Sequence, residues 1–311
     1  MAHLRIGSRG SKLALWQAHH VAAQLQAAGH STAIEVIQTT GDKITDVALS
    51  QVGTKGMFTK EIEEALLDQR IDLAVHSLKD LPTELDPAFT LAAILEREDP
   101  RDAFVSLRYE RLEDLPLNAV VGTSSLRRQA QLHALRGDLR LSPLRGNVDT
   151  RLRKLEAGEL DAIILAAAGL HRLGLESHIR QYFPTEVMYP AAGQGALAIE
   201  TRRQDAATAA CVATLEHSPT RIATTCERAL LQGLGGGCQV PIGAFAVSSA
   251  SGITLSAIVA CPDGSQTLRE SQQGTDPVAL GQQVASALLK KGAQRILDDV
   301  YRSGAALPEQ P

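Results

Sequence analysis

The sequence predicts an α/β protein of two or three domains that ends in a smaller α+β domain. Three observations predict it. A strand, a turn of small polar residues and a helix start occur at Ile6–Lys12 and again at Ala119–Arg128, with a third version at Leu144–Asn147. Short buried strands recur at Asp72–His76 and Asp161–Leu165, and the first runs into polar residues, as strands of open α/β sheets do. After Cys238 the pattern changes to alternating strands followed by a long helical stretch.

The 311 residues suffice for several cores, and 44% hydrophobic with 21% charged residues is ordinary for a globular protein. His3–Ser8 alternates as a strand, and Ser11 can cap a helix from Lys12 to about Ala28, closed by Gly29. Arg9 and Ser11 then sit at a helix N-terminus, a natural anion site, although a plain cap with a solvated arginine is an equal reading. Thr32–Gln38 reads as a strand, Thr39–Lys55 as a long loop and Met57–Gln69 as a helix. Strand Asp72–His76 runs into Ser77-Leu78-Lys79-Asp80-Leu81-Pro82. Ser77, Lys79 and Asp80 crowd at its C-terminal end, where such sheets place ligands. An ionised carboxylate there could steady a developing cation; a weak surface ion pair is the plainer reading.

The charged stretch Glu96–Asp102, between strands Leu91–Leu95 and Ala103–Ser106, reads as a crossing between domains. Thr123, Ser124 and Ser125 then precede Arg127 and Arg128 at a helix start, a cradle for carboxylate or phosphate rather than a solvated face. Arg151 and Lys154 share a face of the next helix, and Arg172 lies on the segment Ala166–Leu173. Pro190–Gly195 reads as the return crossing, followed by a strand at Leu197–Glu200 and helices near Ala206–Leu215 and Thr220–Leu231. Ile242–Val247, Ile253–Ala260 and Thr267–Ser271 form a meander, and Pro277–Tyr301 reads as one final helix, frayed from Gly304 on.

Charge distribution narrows the ligand. Between Gly122 and Lys154 eight basic residues face two acids, a local +6 in a chain of −4. A cationic patch on an acidic chain favours a compact polyanion, and 3% aromatics is poor for stacking on bases, so no nucleic-acid partner is expected. No apolar run can cross a bilayer and the N-terminus lacks an apolar signal core, so the expectation is a cytoplasmic protein without a membrane partner. The four cysteines lack Cys-x-x-Cys spacing, which suggests neither a metal nor a disulfide framework. In Gly235-Gly236-Gly237-Cys238-Gln239-Val240-Pro241, three glycines strip cover from a thiol. That suggests a covalent attachment point or a nucleophile; a tight turn with a small buried cysteine is the alternative.

These residues resemble the porphobilinogen deaminase (hydroxymethylbilane synthase) family. The matching stretches are Arg5–Ala14, Ala74–Thr83, Glu96–Asp102, Val121–Arg128, Leu144–Val148 and Gly236–Gly243, and the similarity runs to the final helix. The resemblance implies two periplasmic-binding-protein-like (type II) lobes, 1–96 with 196–215 and 101–190, with a cleft between them, and a small domain, 218–311, carrying the cysteine. It implies a dipyrromethane cofactor joined by a thioether to Cys238, and stepwise condensation of four porphobilinogens with loss of ammonia. Water then releases hydroxymethylbilane for tetrapyrrole and haem biosynthesis. Asp80 matches the catalytic aspartate. Ser77, Lys79, Thr123, Ser125, Arg127 and Arg128 match residues that hold the cofactor's acids. Arg9, Ser11, Arg145, Arg151 and Arg172 match residues that grip porphobilinogen and the growing chain, and Lys55 and Phe58 fall in a lid. A monomer is implied. Gln51 and Gly235 depart from the common lysine and glutamate. The competing reading is a non-catalytic, two-lobed polyanion-binding or regulatory module with a structural Cys238.

Overall fold

The computed structural model describes residues 1–39, 59–235 and 240–304. The first lobe is a five-stranded sheet of β1 (His3–Ser8), β2 (Ser31–Val36), β3 (Leu73–Ser77), β4 (Phe89–Ile94) and the late β10 (Leu197–Arg202), ordered β2-β1-β3-β10-β4. β1 runs parallel to β2 and β3, whereas β10 is antiparallel to β3 and β4. Helix α1 (Lys12–Ala27) starts where Ser11 Oγ accepts from Ala14 N at 3.2 Å. It buries Ala18, Val21 and Leu25 against Ile6, Leu73, Val75, Leu197 and Ile199. Helix α2 (Lys60–Leu67) covers the other face through Ile62, Ala65 and Leu66.

The second lobe repeats this order. β5 (Asp102–Val105), β6 (Val120–Gly122), β7 (Arg140–Ser142), β8 (Ala162–Ala166) and β9 (Ile179–Tyr182) are arranged β7-β6-β8-β5-β9. Here β5 is the antiparallel strand. In both lobes the odd strand is the one that enters immediately after a crossing, so the lobes share one topology, and the expectation of two periplasmic-binding-protein-like lobes holds. Helices α3 (Leu126–Leu135), α4 (Val148–Glu156) and α5 (Ala167–Arg172) follow β6, β7 and β8.

After α6 (Ala206–Val212), the long α7 (Ser218–Gly233) enters the smaller domain, an antiparallel sheet of β11 (Ile242–Ser249), β12 (Gly252–Ala260) and β13 (Thr267–Gly274). The expected single final helix is two: α8 (Pro277–Lys290) and α9 (Ala293–Arg302), separated at Gly292, whose φ of 100° is left-handed. Cys226, Leu230, Leu255, Ala257, Val284, Leu288 and Ile296 fill this domain's core. None of the described helices is long and apolar enough to cross a membrane.

Candidate active site

Each lobe delivers its polar residues from a strand end. At the end of β3 the chain makes one tight turn, Leu78–Asp80. Leu78 is fully buried with Leu81, Ile94, Ala196 and Ala198 and pins the turn to the core. Ser77 Oγ accepts from Gln17 Nε2 at 2.9 Å, and Lys79 Nζ donates to Gln194 Oε1 at 3.3 Å. Asp80 is exposed. Burial pushes the Lys79 ammonium down to about 8, against the pull of Asp80.

In the second lobe, Thr123 Oγ1 accepts from Ser125 N at 3.2 Å, and Ser125 caps α3 by accepting from Arg128 N. Arg127 and Arg128 occupy the first turn of α3 and are both buried, so they are not a solvated face. They close on Asp102, the first residue of β5. Arg127 Nη1 donates to Asp102 Oδ2 at 2.7 Å and to Tyr189 O at 2.6 Å. Arg128 donates from Nε at 3.1 Å and Nη2 at 2.7 Å to Asp102 Oδ1. Gln194 Nε2 adds a fourth bond to Asp102, at 3.0 Å, while its Oε1 takes Lys79 from the other lobe. Burial alone would raise the Asp102 carboxyl, but the two guanidinium groups outweigh burial and hold it well below the carboxylate range.

Arg151 joins this cluster. Its Nε donates to Gly146 O at 2.8 Å, it lies within electrostatic reach of Arg128 and Asp80, and burial pushes its guanidinium down to about 10. Lys79, Arg127, Arg128 and Arg151 are four cations facing two carboxylates, Asp80 and Asp102, which leaves the cluster two negative charges short. A partly buried cluster short of anions fits a ligand carrying several acids. Among the described residues no group of three His, Cys, Asp or Glu side chains is placed to hold a metal ion.

Ser11 caps α1, Arg9 and Arg145 are half-buried, and Lys12 pairs with Asp149 at 2.7 Å between the first turns of α1 and α4. Arg172 is buried and opens on a separate pocket; its Nη2 donates to Gly195 O at 2.6 Å. Cys238, Lys55, Phe58 and Gln51 lie outside the described residues. Gly235 takes φ 62°, a left-handed backbone that favours glycine over a residue with a side chain. The buried Cys226 thiol, pushed up to about 12 by burial, is structural.

Sequence reasoning missed Asp102 and Gln194, and it missed Arg97 and Glu227. Arg97 donates to the fully buried Glu227 at 2.6 and 3.2 Å and to Gln194 O at 2.8 Å. Glu227 also accepts from Gly193 N at 2.7 Å and Ala246 N at 2.8 Å, which fastens the small domain to both crossings. The available signal was the charge density of Glu96–Asp102, read as a crossing and a matching stretch but with no role for Arg97 or Asp102.

Two α/β lobes of one topology, with buried cations gathered at their strand ends, define a two-lobed anion-binding protein. The porphobilinogen deaminase dipyrromethane cofactor binding domain matches residues 4–210, and the porphobilinogen deaminase C-terminal domain matches residues 221–290. The chain is 53% identical over 301 residues to porphobilinogen deaminase of Chromobacterium violaceum, covering 96% of this chain and 97% of the relative. It is 50% identical over 305 residues to porphobilinogen deaminase of Brevibacillus brevis, covering 97% and 99%. Among solved structures it is similar to a putative methionine-binding lipoprotein of Bacillus subtilis, with TM-score 0.44 and 14% identity over 69% of this chain and 90% of that one. The chain belongs to the porphobilinogen deaminase family. Its activity is that of a porphobilinogen deaminase, a transferase of tetrapyrrole biosynthesis with a dipyrromethane cofactor, and the non-catalytic alternative is set aside.

Proposed function

We propose that Cys238 carries the dipyrromethane by a thioether and that Lys79, Arg127 and Arg128, with Ser77, Thr123 and Ser125, hold its acids. The observation that carries this reading is the charge deficit: four cations, partly or wholly buried, around two carboxylates. The cofactor supplies a primer onto which porphobilinogen units are joined. The chain's own groups do the rest. Arg9, Ser11, Arg145, Arg151 and Arg172 take the acetate and propionate of incoming porphobilinogen and of the growing chain, and bidentate guanidinium groups suit carboxylates better than lysine does. Asp80 presents its carboxylate where positive charge develops as ammonia leaves, and it orients pyrrole N–H groups. Asp102 holds both Arg127 and Arg128 in place, because it accepts from both. Lys55 and Phe58 belong to a lid over the site.

The domain boundaries we propose are 1–96 with 196–215, 101–190 and 218–311. The protein acts as a monomer in the cytoplasm, without a nucleic-acid or membrane partner; the acidic net charge and the 3% aromatic content support a small polyanion over nucleic acid. Ehrlich's reagent and intact-protein mass test the reading together. Denatured wild-type protein gives the dipyrromethane colour and a mass above that of the polypeptide, and Cys238→Ser gives neither. Asp80→Ala folds but loses nearly all turnover. Colour in Cys238→Ser, or near-normal hydroxymethylbilane formation by Asp80→Ala, overturns it.

A further inference from the structure

A pocket of about 350 Å³ lies between α1 and α5, lined by Trp16, Glu98, His171, Arg172 and Glu176. That volume is at the small end of ligand sites and admits one substituted pyrrole. Its chemistry is mixed in a particular way. Arg172 is buried, stands 5.9 Å from the Trp16 ring centroid, and forms no ion pair among the described residues; its Nη2 donates to the backbone carbonyl of Gly195. Trp16 is partly exposed, with one face stacked on His20 at 4.9 Å. Glu98 is held at the wall: Oε1 accepts from Asp99 N at 2.9 Å and shares a hydrogen bond with His171 Nδ1 at 3.1 Å. The other ring nitrogen of His171, Nε2, shares a hydrogen bond with Tyr182 Oη at 2.9 Å, so both nitrogens of the imidazole are engaged. Glu176 is exposed at the rim.

The side chains of a chain of deaminated pyrroles are all acids, so two carboxylates set beside an arginine have no side-chain charge of that chain to meet. This pocket offers a cation, a flat aromatic surface and two carboxylates. That set matches the free monomer, which bears two carboxylates on an aromatic ring and an aminomethyl group that is an ammonium ion at neutral pH. We propose that the pocket is a receiving site for porphobilinogen before condensation, in which Arg172 takes a carboxylate, Trp16 stacks on the pyrrole and Glu98 with Glu176 read the ammonium. The proposal rests on the function proposed above and deepens it. The ammonium is the group lost on condensation, so the two glutamates distinguish unreacted substrate from chain already built.

Trp16 is the only tryptophan in the sequence, so its fluorescence reports this pocket alone. Holoprotein is mixed rapidly with porphobilinogen, or with the analogue carrying methyl in place of aminomethyl, and Trp16 emission is followed before turnover. Both ligands change the emission. Glu98→Gln/Glu176→Gln weakens porphobilinogen by about tenfold and the methyl analogue by less than about twofold, since only charge-assisted bonds to the ammonium are lost. The KM for porphobilinogen rises by more than kcat falls. Glu98→Gln keeps an acceptor for Asp99 N, and Ehrlich colour confirms that the variants still carry cofactor. Should the double variant not fold, Glu176→Gln alone, at the exposed rim, carries the same comparison. Equal weakening of both ligands, or emission blind to both, overturns the proposal. Failure of the wild-type holoprotein to form hydroxymethylbilane would instead overturn the underlying function; normal turnover without the selective loss overturns this proposal only.

Discussion

Replacing Asp102 by asparagine tests the centre of the second lobe. The carboxylate is fully buried and accepts four bonds: one from Arg127, two from Arg128 and one from Gln194. Asparagine keeps the shape but offers one acceptor oxygen and turns an NH₂ group toward guanidinium donors. Two buried guanidinium groups lose their counter-charge, and breaking such a buried pair costs about 3–5 kcal/mol. By contrast, Glu35→Gln removes the exposed pair with Arg70 and costs about 0–1 kcal/mol. Urea unfolding at neutral pH measures both, and Asp102→Asn melts roughly 5–15 °C below wild type. The pH dependence has a definite sign. The folded Asp102 is depressed below its ordinary value near 4, so its stabilisation is present above about pH 4 and fades as pH falls through the folded value. The gap between wild type and variant is therefore constant from about pH 5 upward and narrows below about pH 4. A gap under about 1 kcal/mol at pH 7, or one that widens in acid, refutes the assignment of Asp102 as counter-ion to both arginines.

Lys79, pushed down to about 8 by burial, loses its charge in mildly alkaline solution, so capture of dipyrromethane acids by apoprotein falls as pH rises through about 8. Lys79→Arg moves that loss to higher pH, and a flat wild-type profile of holoprotein formation up to about pH 9 would count against a role for its charge. Gly195→Ala places a Cβ 2.3 Å from Glu98 O with φ near 90°, whereas Gly29→Ala, at φ 89°, meets nothing within 4 Å. Thermal melting separates the two: Gly29→Ala shows the conformational cost of about 1 kcal/mol, and Gly195→Ala loses clearly more because two crossing segments must part. Equal losses would mean that the crossings are loosely packed.

The parts legible in the sequence are those that local chemistry decides. Ser11 and Ser125 cap helices because a hydroxyl just before an amphipathic run satisfies free N–H groups, and both do so here. The turn after β3 could be found because a buried strand ends abruptly in Ser77, Lys79 and Asp80. Asp102 could not, since its arginine partners are 25 and 26 residues away in sequence and its burial follows only from the way β5 enters the sheet. β7 and β9 are strands of three and four residues, too short to show a period. The break at Gly292 escaped notice because apolar spacing continues through it, and only the left-handed backbone separates α8 from α9.

The small domain is built into the hinge rather than appended to it. Glu227, on α7, ties together Arg97 of the outgoing crossing, Gly193 of the return crossing and Ala246 of its own sheet. One residue further, Arg228 donates to Pro82 O and Thr83 O, just beyond Asp80, and Gln232 Nε2 reaches Glu84. On the other side, His133 on α3, the helix of Arg127 and Arg128, shares a 2.9 Å hydrogen bond with Pro262 O in the β12–β13 turn. The domain thus holds the chain behind Asp80 of one lobe and the helix bearing the paired arginines of the other. Any separation of the lobes must leave one of these grips behind. The grip on the outgoing crossing is a buried, bidentate ion pair, whereas those on the lobes are hydrogen bonds to backbone carbonyls and an exposed bond from Gln232 to Glu84, so motion is cheapest at the lobes while the small domain stays fixed to the crossings. A cofactor carried by that domain would then keep its place while the cationic walls around it move apart to admit each added pyrrole.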